Sequence, residues 1–537
     1  MKVGEPRKQG DVGRRRHDQA TGNPSTEVDQ KSPGEQAPAE PEALARRRWL
    51  GFVGGLVASA MLYLLLPESL PDPGKITAAT AVLMAAWWMS EALPIPITAL
   101  LPLIIFPLFS STLDGSPITV STIGASYGNS VMFLFMGGFM LALAMQRWNL
   151  HRRIALLTLK IMGPKPDRMI AGFMIATGFL SLWVSNTATA VMMFPIGISV
   201  IALVSGVLPD FGKLDTTESG EPIIRSNFAT ALLLGIAYAA SIGSLGSIIS
   251  TPPNTLLAGY LNDTFGIQIG FAKWMAVGMP ISVAFMALTW LVIVKGIFRP
   301  EITEIPGGRE LIGDELAALG PISKGERRVL AVFVLAASLW IFVPLIFETP
   351  PVSDAGIAVI IGILLFVIPS GTARGVRLLD WETAVQLPWG ILLLFGGGLA
   401  LSAQFGASGL TDWIGAQAVA LENLPVWAVV VIITGTVLVL SELTSNTATA
   451  ATFLPVAGGI ALGIGLNPML LTIPVALTAT CSFMLPVATP PNAIAFGSGY
   501  VKIGEMVKGG FILNLIALVL VSISTLTLAV WVFGIVY

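Results

Sequence analysis

Two copies of one polar hexapeptide interrupt otherwise apolar sequence. Ser-Asn-Thr-Ala-Thr-Ala occupies residues 185–190 and again residues 445–450. Asn favours turns, and Ser and Thr hydroxyls cap helix starts, so each copy predicts a hairpin tip at which a new helix begins. Such a helix start offers free N–H groups and the positive end of a dipole to an anion. The side chains that add donors and acceptors at the tips are Ser185, Asn186, Thr187, Ser445, Asn446 and Thr447.

A second motif, Thr-Pro-Pro-Asn, also occurs twice, at residues 251–254 and 489–492. Paired prolines remove backbone donors and clash with the preceding turn, so each copy must break a helix. Each break frees backbone carbonyl groups just before the motif, at Ile249, Ser250, Val487 and Ala488. Unpaired carbonyls at membrane depth suit Na⁺ coordination. One proline kink alone would be weak evidence, because such kinks are common in membrane helices.

The surroundings of the tips lack positive charge. No Lys, Arg or His lies within ten residues of either Ser-Asn-Thr motif. Burying a dianion there would be costly unless cations accompany it, which favours coupling to Na⁺. Glu442 is the acidic residue closest to a tip, and it has two interpretations: direct cation binding, or hydrogen bonding to the backbone around the hairpin. Small polar residues can also merely hold helices together, but two identical copies favour a binding site.

The composition of the chain indicates whether water or a lipid bilayer surrounds these motifs. The chain has 537 residues, 54% of them hydrophobic, with only 30 Lys and Arg and 32 Asp and Glu residues. Its mean hydropathy is +0.79. Several apolar stretches reach the ~20 residues needed to cross a bilayer. These features predict an all-α polytopic membrane protein and exclude most soluble enzymes and nucleic-acid binders. The one cysteine rules out an intramolecular disulfide, and no nucleophile–base pair supports an enzyme.

Along the chain we predict a disordered cytoplasmic tail over 1–45, a first repeat over 46–296, a cytoplasmic connector over 297–327 and a second repeat over 328–537. About 11 transmembrane helices are expected, with two re-entrant helical hairpins and two broken helices. The expected parts are scaffold helices over 49–146 and 328–405, hairpins over 168–206 and 425–466, and broken helices over 227–262 and 468–500. The distribution of Lys and Arg between loops predicts a cytoplasmic N-terminus.

The two repeats are recognised by more than the motifs. An offset of 260 relates both hexapeptides and also maps residues 134–138 onto 394–398, which share Leu-Phe and a glycine pair. The Thr-Pro-Pro-Asn copies lie 238 residues apart because a longer polar loop, about 207–226, lies in the first half. If the halves enter the membrane from opposite sides, the repeats have inverted topology. Secondary transporters of that architecture bind their ligands near the midplane of the membrane.

With these motifs, residues 49–535 resemble the divalent anion:sodium symporter family, which includes the sodium/dicarboxylate cotransporters. The resemblance implies a homodimer in the inner (plasma) membrane, in which a mobile domain of each protomer moves as an elevator against a scaffold in the lipid bilayer. It implies Na⁺-driven import of C4-dicarboxylates such as succinate, malate and fumarate. Nucleic acid is not an expected partner.

The resemblance also implies a set of site residues. The first sodium site would use Ser181, Ser185, Asn186 and the backbone of Ser250, where the family often has Gly. The second sodium site would use Ser441, Thr444, Asn446 and Ala488. The substrate would be held by Ser185, Asn186, Thr187, Ser445, Asn446 and Thr447, with Thr251 and Thr489 nearby.

Three alternatives stay open. A sodium-independent dicarboxylate exchanger and a sulfate or citrate carrier could both be built on the same scaffold. An anion channel is a different class of protein, which the repeat and the lack of basic rings disfavour. No Walker motif is present, so ATP-driven pumping is disfavoured as well.

Overall fold

The structure is a computed structural model that describes residues 41–208, 212–216, 222–347 and 350–536. Residues 1–40, which form most of the predicted tail over 1–45, lie outside the described residues. The first helix begins at Glu42, within the last residues assigned to that tail. Among the described residues the only strands are β1 (Lys213–Thr216) and β2 (Pro222–Arg225), an antiparallel pair inside the predicted polar loop.

Helices form nearly all of the described chain. Those that precede the predicted connector are α1 (Glu42–Leu65), α2 (Asp72–Ser90), α3 (Ile95–Thr98), α4 (Pro102–Phe109), α5 (Val120–Gly124), α6 (Ser130–Arg147), α7 (Leu150–Met162), α8 (Pro166–Ser181), α9 (Asn186–Val207), α10 (Asn227–Ser244), α11 (Pro252–Phe265) and α12 (Phe271–Trp290). Those that follow are α13 (Gly308–Ala318), α14 (Lys324–Ile346), α15 (Asp354–Val367), α16 (Trp381–Ala384), α17 (Trp389–Ala407), α18 (Leu410–Gln417), α19 (Val426–Leu443), α20 (Asn446–Gly463), α21 (Met469–Ala479), α22 (Pro490–Gly497), α23 (Ile503–Ser524) and α24 (Val530–Phe533).

By length and composition, nine helices of the described chain could cross a membrane. The prediction of an all-α polytopic membrane protein is therefore confirmed. The count of 11 spans and the inverted orientation of the repeats stay predictions.

The same order of elements occurs in both halves. α6 and α17 are each followed by a residue with positive φ, Asn149 (54°) and Gly409 (75°), that redirects the chain into the short helices α7 and α18. Next come the two-helix hairpins α8–α9 and α19–α20, and then the interrupted helices α10–α11 and α21–α22. The long helices α12 and α23 each continue into a π-helical segment, Leu291–Ile297 and Thr525–Ala529.

Two further helices lie in segments where no membrane span was predicted. α7 carries a basic cluster, but Leu150, Leu156 and Leu159 on its other side are buried, so it is an amphipathic helix. α13 lies in the predicted connector over 297–327. Arg153 of α7 donates from Nε to Oε1 of Glu326 across 2.6 Å, and both side chains are buried. This ion pair ties α7 to the start of α14.

Glycines of the two equivalent segments, 134–138 and 394–398, permit close helix packing. A Cβ atom at Gly137 of α6 would overlap the carbonyl group of Ala358 in α15, and a Cβ atom at Gly397 of α17 would overlap the carbonyl group of Ala99. Neither helix could approach its neighbour this closely with a larger residue, as is usual for small residues at membrane helix interfaces.

Candidate binding site at the two hairpin tips

The first hairpin turns at residues 182–185, between the end of α8 and the start of α9. Ser185 is the N-cap residue of α9, and its Oγ accepts a hydrogen bond from the N–H of Ala188 at 3.3 Å. Oδ1 of Asn186 accepts from the N–H of Thr187 at 2.8 Å. Side chains thus accept hydrogen bonds from backbone N–H groups in the first turn of this helix.

The second hairpin turns between α19 and α20, and its polar groups are linked differently. Ser445 is the N-cap residue of α20, but its side chain makes no capping bond. Oδ1 of Asn446 lies 3.2 Å from Oγ of Ser441, which in turn accepts from Ser482 Oγ at 2.8 Å. Oγ1 of Thr444 contacts the hydroxyl of Thr449 and donates to the carbonyl of Leu440. The second tip is therefore part of a larger polar network.

Both breaks end at the predicted motif. Thr251 and Thr489 are the N-cap residues of α11 and α22, and each is followed by prolines in the first turn, where no N–H group is needed. No hydrogen bond between described residues reaches the four backbone carbonyl groups predicted to be free, those of Ile249, Ser250, Val487 and Ala488. Ser250 and Ala488 are buried. Unpaired carbonyl oxygens in a buried position are candidate ligands for a cation.

The packing brings the two halves together at the motifs. α9, which starts at the first tip, packs against α22, which starts at the second Thr-Pro-Pro-Asn motif. In the same way α11 packs against α20. The two breaks also meet directly, because Oγ1 of Thr251 lies 3.4 Å from Oγ1 of Thr480. Each hairpin therefore packs against the broken helix of the opposite half.

The exposure of the site residues separates them into two groups. The half-buried side chains lie at the tips, where a ligand could reach them: Ser185, Asn186, Thr187, Ser445 and Asn446. The buried ones are Ser181, Ser250, Thr251, Ser441, Thr444, Thr447, Ala488 and Thr489. Ser181 donates from Oγ to the carbonyl of Ala240 at 2.6 Å, which ties the hairpin to the helix α10 beside it. The predicted cation ligands thus lie mostly below the surface that the tips present.

Glu442 makes the backbone contacts that were one of its two predicted interpretations. Its two carboxylate oxygens accept hydrogen bonds from the N–H groups of Phe483, Met484 and Leu485, at 2.7–3.2 Å. A fourth donor is Nδ2 of Asn514 in α23, at 2.7 Å from Oε1. The carboxylate therefore serves as the hydrogen-bond acceptor for the unwound part of the second broken helix.

One family model matches the chain over residues 46–535. It describes the sodium:sulfate symporter transmembrane region. The chain belongs to this family. The resemblance inferred from the repeated motifs is thereby confirmed. The family consists of transporters, not of enzymes.

Curated relatives agree with the family. The chain is 41% identical over 496 residues to the sodium-dependent dicarboxylate transporter SdcS of Staphylococcus saprophyticus, an alignment that covers 90% of this chain and 93% of that protein. It is 41% identical over 477 residues to the protein of the same name in Staphylococcus aureus strain USA300, with 87% of this chain and 89% of that protein covered.

Two solved structures share the fold. The Alcanivorax borkumensis YdaH transporter matches with a TM-score of 0.52 at 13% identity, over 86% of this chain and 99% of that one. Neisseria gonorrhoeae MtrF, described as an antimetabolite efflux pump, matches with a TM-score of 0.50 at 12% identity, over 89% of this chain and 97% of that one. At these identities the comparison concerns the fold alone.

The sequence analysis did not predict several polar residues that are hydrogen bonded near the site. Thr480, Ser482 and Asn514 are buried and hydrogen bonded near the second break, but none belongs to a repeated motif. Asn254 and Asn492 were quoted only as the last residues of Thr-Pro-Pro-Asn. Their recurrence in both copies was a usable signal, because the paired prolines already account for the break and leave the asparagine without a reason.

Proposed function

We propose that this chain is a sodium-coupled symporter that imports C4-dicarboxylates such as succinate, malate and fumarate. The observation that carries the proposal is the pairing of each Ser-Asn-Thr tip with a break whose carbonyl groups lack hydrogen-bond partners. The names of the relatives support both the cation and the substrate class.

The substrate carboxylates would bind at the two helix starts. There the first N–H groups of α9 and α20 and the side chains of Ser185, Asn186, Thr187, Ser445, Asn446 and Thr447 can donate to them, with Thr251 and Thr489 nearby. Two tips suit a ligand with two anionic ends. A C4 chain has one carboxylate for each tip.

The cations would bind behind the tips. For the first site the proposed ligands are Ser181, Ser185, Asn186 and the carbonyl of Ser250. For the second site they are Ser441, Thr444, Asn446 and the carbonyl of Ala488. All of these are neutral oxygen donors, and Na⁺ accepts hydroxyl, amide and carbonyl oxygens. Since Asn186 and Asn446 belong to both sets, cation and substrate would order the same side chains.

Charge explains why the two ligands would be coupled. Of the described Asp, Glu, Lys, Arg and His residues only His151, Arg153, Glu326 and Glu442 are buried, and Glu442 alone belongs to a tip region. A dianion at the tips therefore finds dipoles but no fixed positive charge, and Na⁺ would supply the compensation. Each ligand should then raise the affinity of the other by the same factor.

Movement and assembly complete the proposal. The hairpins and broken helices would move together as an elevator against the scaffold helices α1–α6 and α14–α17, in a homodimer in the plasma membrane with cytoplasmic N-termini. The cross-packing of α9 with α22 and of α11 with α20 supports movement as one body.

Uptake of labelled succinate into proteoliposomes tests the proposal. We expect saturable uptake that requires a sodium gradient and that falls when K⁺ or choline replaces Na⁺. A protein that binds and exchanges succinate equally well without sodium contradicts symport and favours the exchanger. Sulfate and citrate are added as competitors in the same assay. If sulfate alone competes, the substrate class is wrong although the family is right.

A further inference from the structure

Each broken helix carries an asparagine, the last residue of Thr-Pro-Pro-Asn, that reaches back into the break. Nδ2 of Asn254 lies 2.9 Å from the carbonyl oxygen of Ser247 and 3.4 Å from that of Ser244. Nδ2 of Asn492 lies 3.1 Å from the carbonyl oxygens of both Ser482 and Leu485. The four accepting residues correspond at the offset of 238 that relates the two motifs. The two halves therefore repeat a contact as well as a sequence.

The other side of each amide has no partner. Oδ1 of Asn254 and Oδ1 of Asn492 are both buried, and neither has a hydrogen bond to any described residue. Both residues are completely buried. The amides cannot simply be reversed, because the oxygen would then face two carbonyl oxygens. A buried polar atom without a partner is uncommon, and its occurrence at two equivalent positions calls for a common cause.

The location of these atoms indicates the cause. Each asparagine donates from Nδ2 to carbonyl groups near the beginning of the break. The carbonyl groups that lack a hydrogen bond lie a few residues further on, at Ser250 and Ala488. A cation is bound well only when its ligands are held to within a fraction of an ångström. A side chain that fixes the curvature of the break also fixes where the free carbonyl oxygens point.

We propose that Asn254 and Asn492 are a matched pair of positioning residues, one for each sodium site. Nδ2 holds the break in shape, and Oδ1 acquires its missing partner when the cation and its hydration enter. This inference rests on the sodium-coupled function proposed above and adds to it. It assigns a role in cation binding to two residues outside the tip motifs and their proposed ligand sets.

Asn254→Ala and Asn492→Ala test the inference in the purified full-length chain. We expect the sodium concentration for half-maximal succinate uptake to rise about 10- to 100-fold, as is typical when the support of a metal ligand is removed. The succinate concentration for half-maximal uptake, measured at saturating sodium, should change much less. The stabilising effect of NaCl over choline chloride on the melting temperature should shrink in parallel.

Asn467→Ala is the matched control. Asn467 also uses its side chain on the backbone, since its Oδ1 accepts from the N–H of Met469 at 3.0 Å, but it lies before α21 and outside the break. The control should keep the sodium response of the wild type. If both motif variants respond to sodium like the wild type, or lose sodium and succinate affinity equally, the inference is wrong.

If the variants do not fold, hydrogen–deuterium exchange of the wild type tests the proposed role of Asn254 and Asn492. Sodium, compared with choline, should slow exchange of the backbone N–H groups over residues 245–251 and 482–489. Unchanged exchange in both segments overturns the inference. A wild type whose uptake and melting temperature both ignore sodium instead contradicts the proposed function itself.

Discussion

The two breaks share a motif but differ in what faces their unwound backbone. In the first break Leu182 packs against Gly246. A Cβ atom placed on this glycine would lie only 2.6 Å from a methyl group of Leu182. In the second break Glu442 lies at the corresponding position, 260 residues later. The N–H groups of Leu245 and Gly246 bond to nearby carbonyl groups of their own chain segment, at 3.2 and 3.1 Å. Those of Phe483 and Met484 bond instead to the Glu442 carboxylate.

Burial differs in the same direction. Every residue over 241–251 is buried, whereas Val487 in the second break is 73% exposed. The first break completes its own turn, whereas the second relies on the Glu442 carboxylate as the acceptor for its N–H groups. The second break thus has a carboxyl side chain, Glu442, where the first has Leu182, so the two proposed cation sites should not be equivalent.

The largest expected effect is that of removing this carboxylate. Glu442→Leu, which makes the second break resemble the first, leaves three backbone N–H groups without their acceptor, at a cost of about 1–3 kcal/mol for each group that stays buried and unpaired. We expect loss of transport and a clearly lower melting temperature in detergent. Leu182→Met is the matched change in the first half and should stay near the wild type. A Glu442→Leu protein with the melting temperature of the wild type would show that the contacts do not support the break.

Removing the tip asparagines should abolish most transport with less effect on folding. Asn186→Ala and Asn446→Ala each delete a side chain proposed to serve both a cation and the substrate, so uptake should fall by at least about tenfold. Uptake is measured at matched amounts of protein in the membrane. We expect Asn446→Ala to lower the melting temperature more than Asn186→Ala does, because Oδ1 of Asn446 accepts a hydrogen bond from Ser441 in the preceding helix. Normal amounts of both variants with wild-type uptake would contradict the assignment of the site.

The serines behind the tips should give a smaller, cation-selective effect. Ser181→Ala and Ser441→Ala should each raise the sodium concentration needed for half-maximal uptake, with little change in the preference among dicarboxylates. The increase should be greater for Ser441, because its hydroxyl also joins Ser482 and Asn446, whereas that of Ser181 bonds to Ala240 alone. Sodium titrations of succinate uptake compare the two variants. Equal titrations would contradict the proposed difference between the sites.

The smallest effect concerns the short helices α7 and α18, in which His151 corresponds to Thr411. Burial lowers the pKa of His151; its hydrogen bond to the Met145 carbonyl raises that pKa, and the charge of Arg152 lowers it again. The neutral ring is therefore favoured in the folded state. Because the unfolded chain takes up the proton more readily, stability should fall as the pH drops below about 6.5, the ordinary pKa of His. His151→Gln should flatten that part of a plot of melting temperature against pH, and an unchanged slope would contradict the prediction.

The sequence was sufficient for features that local chemistry decides. Paired prolines remove donors and clash with the preceding turn, so the positions of Thr251 and Thr489 at helix starts followed from residue types alone. The amphipathic helix α7 was missed because its basic residues resemble those of a cytoplasmic loop. The choice between two interpretations of Glu442, and the targets of Asn254 and Asn492, depend on which backbone lies opposite in the folded chain. A single sequence does not contain that information.

The cross-packing of the halves has a consequence for the history of such a chain. Each hairpin packs against the broken helix of the other half, through α9 with α22 and α11 with α20. A polypeptide of half this length would carry both motifs but would lack the broken helix that packs against its hairpin from the other half. For such a polypeptide, the same packing could be supplied by a second copy of itself. Fusion of two such genes would have made the partnership permanent, and only then could Leu182 and Glu442 diverge.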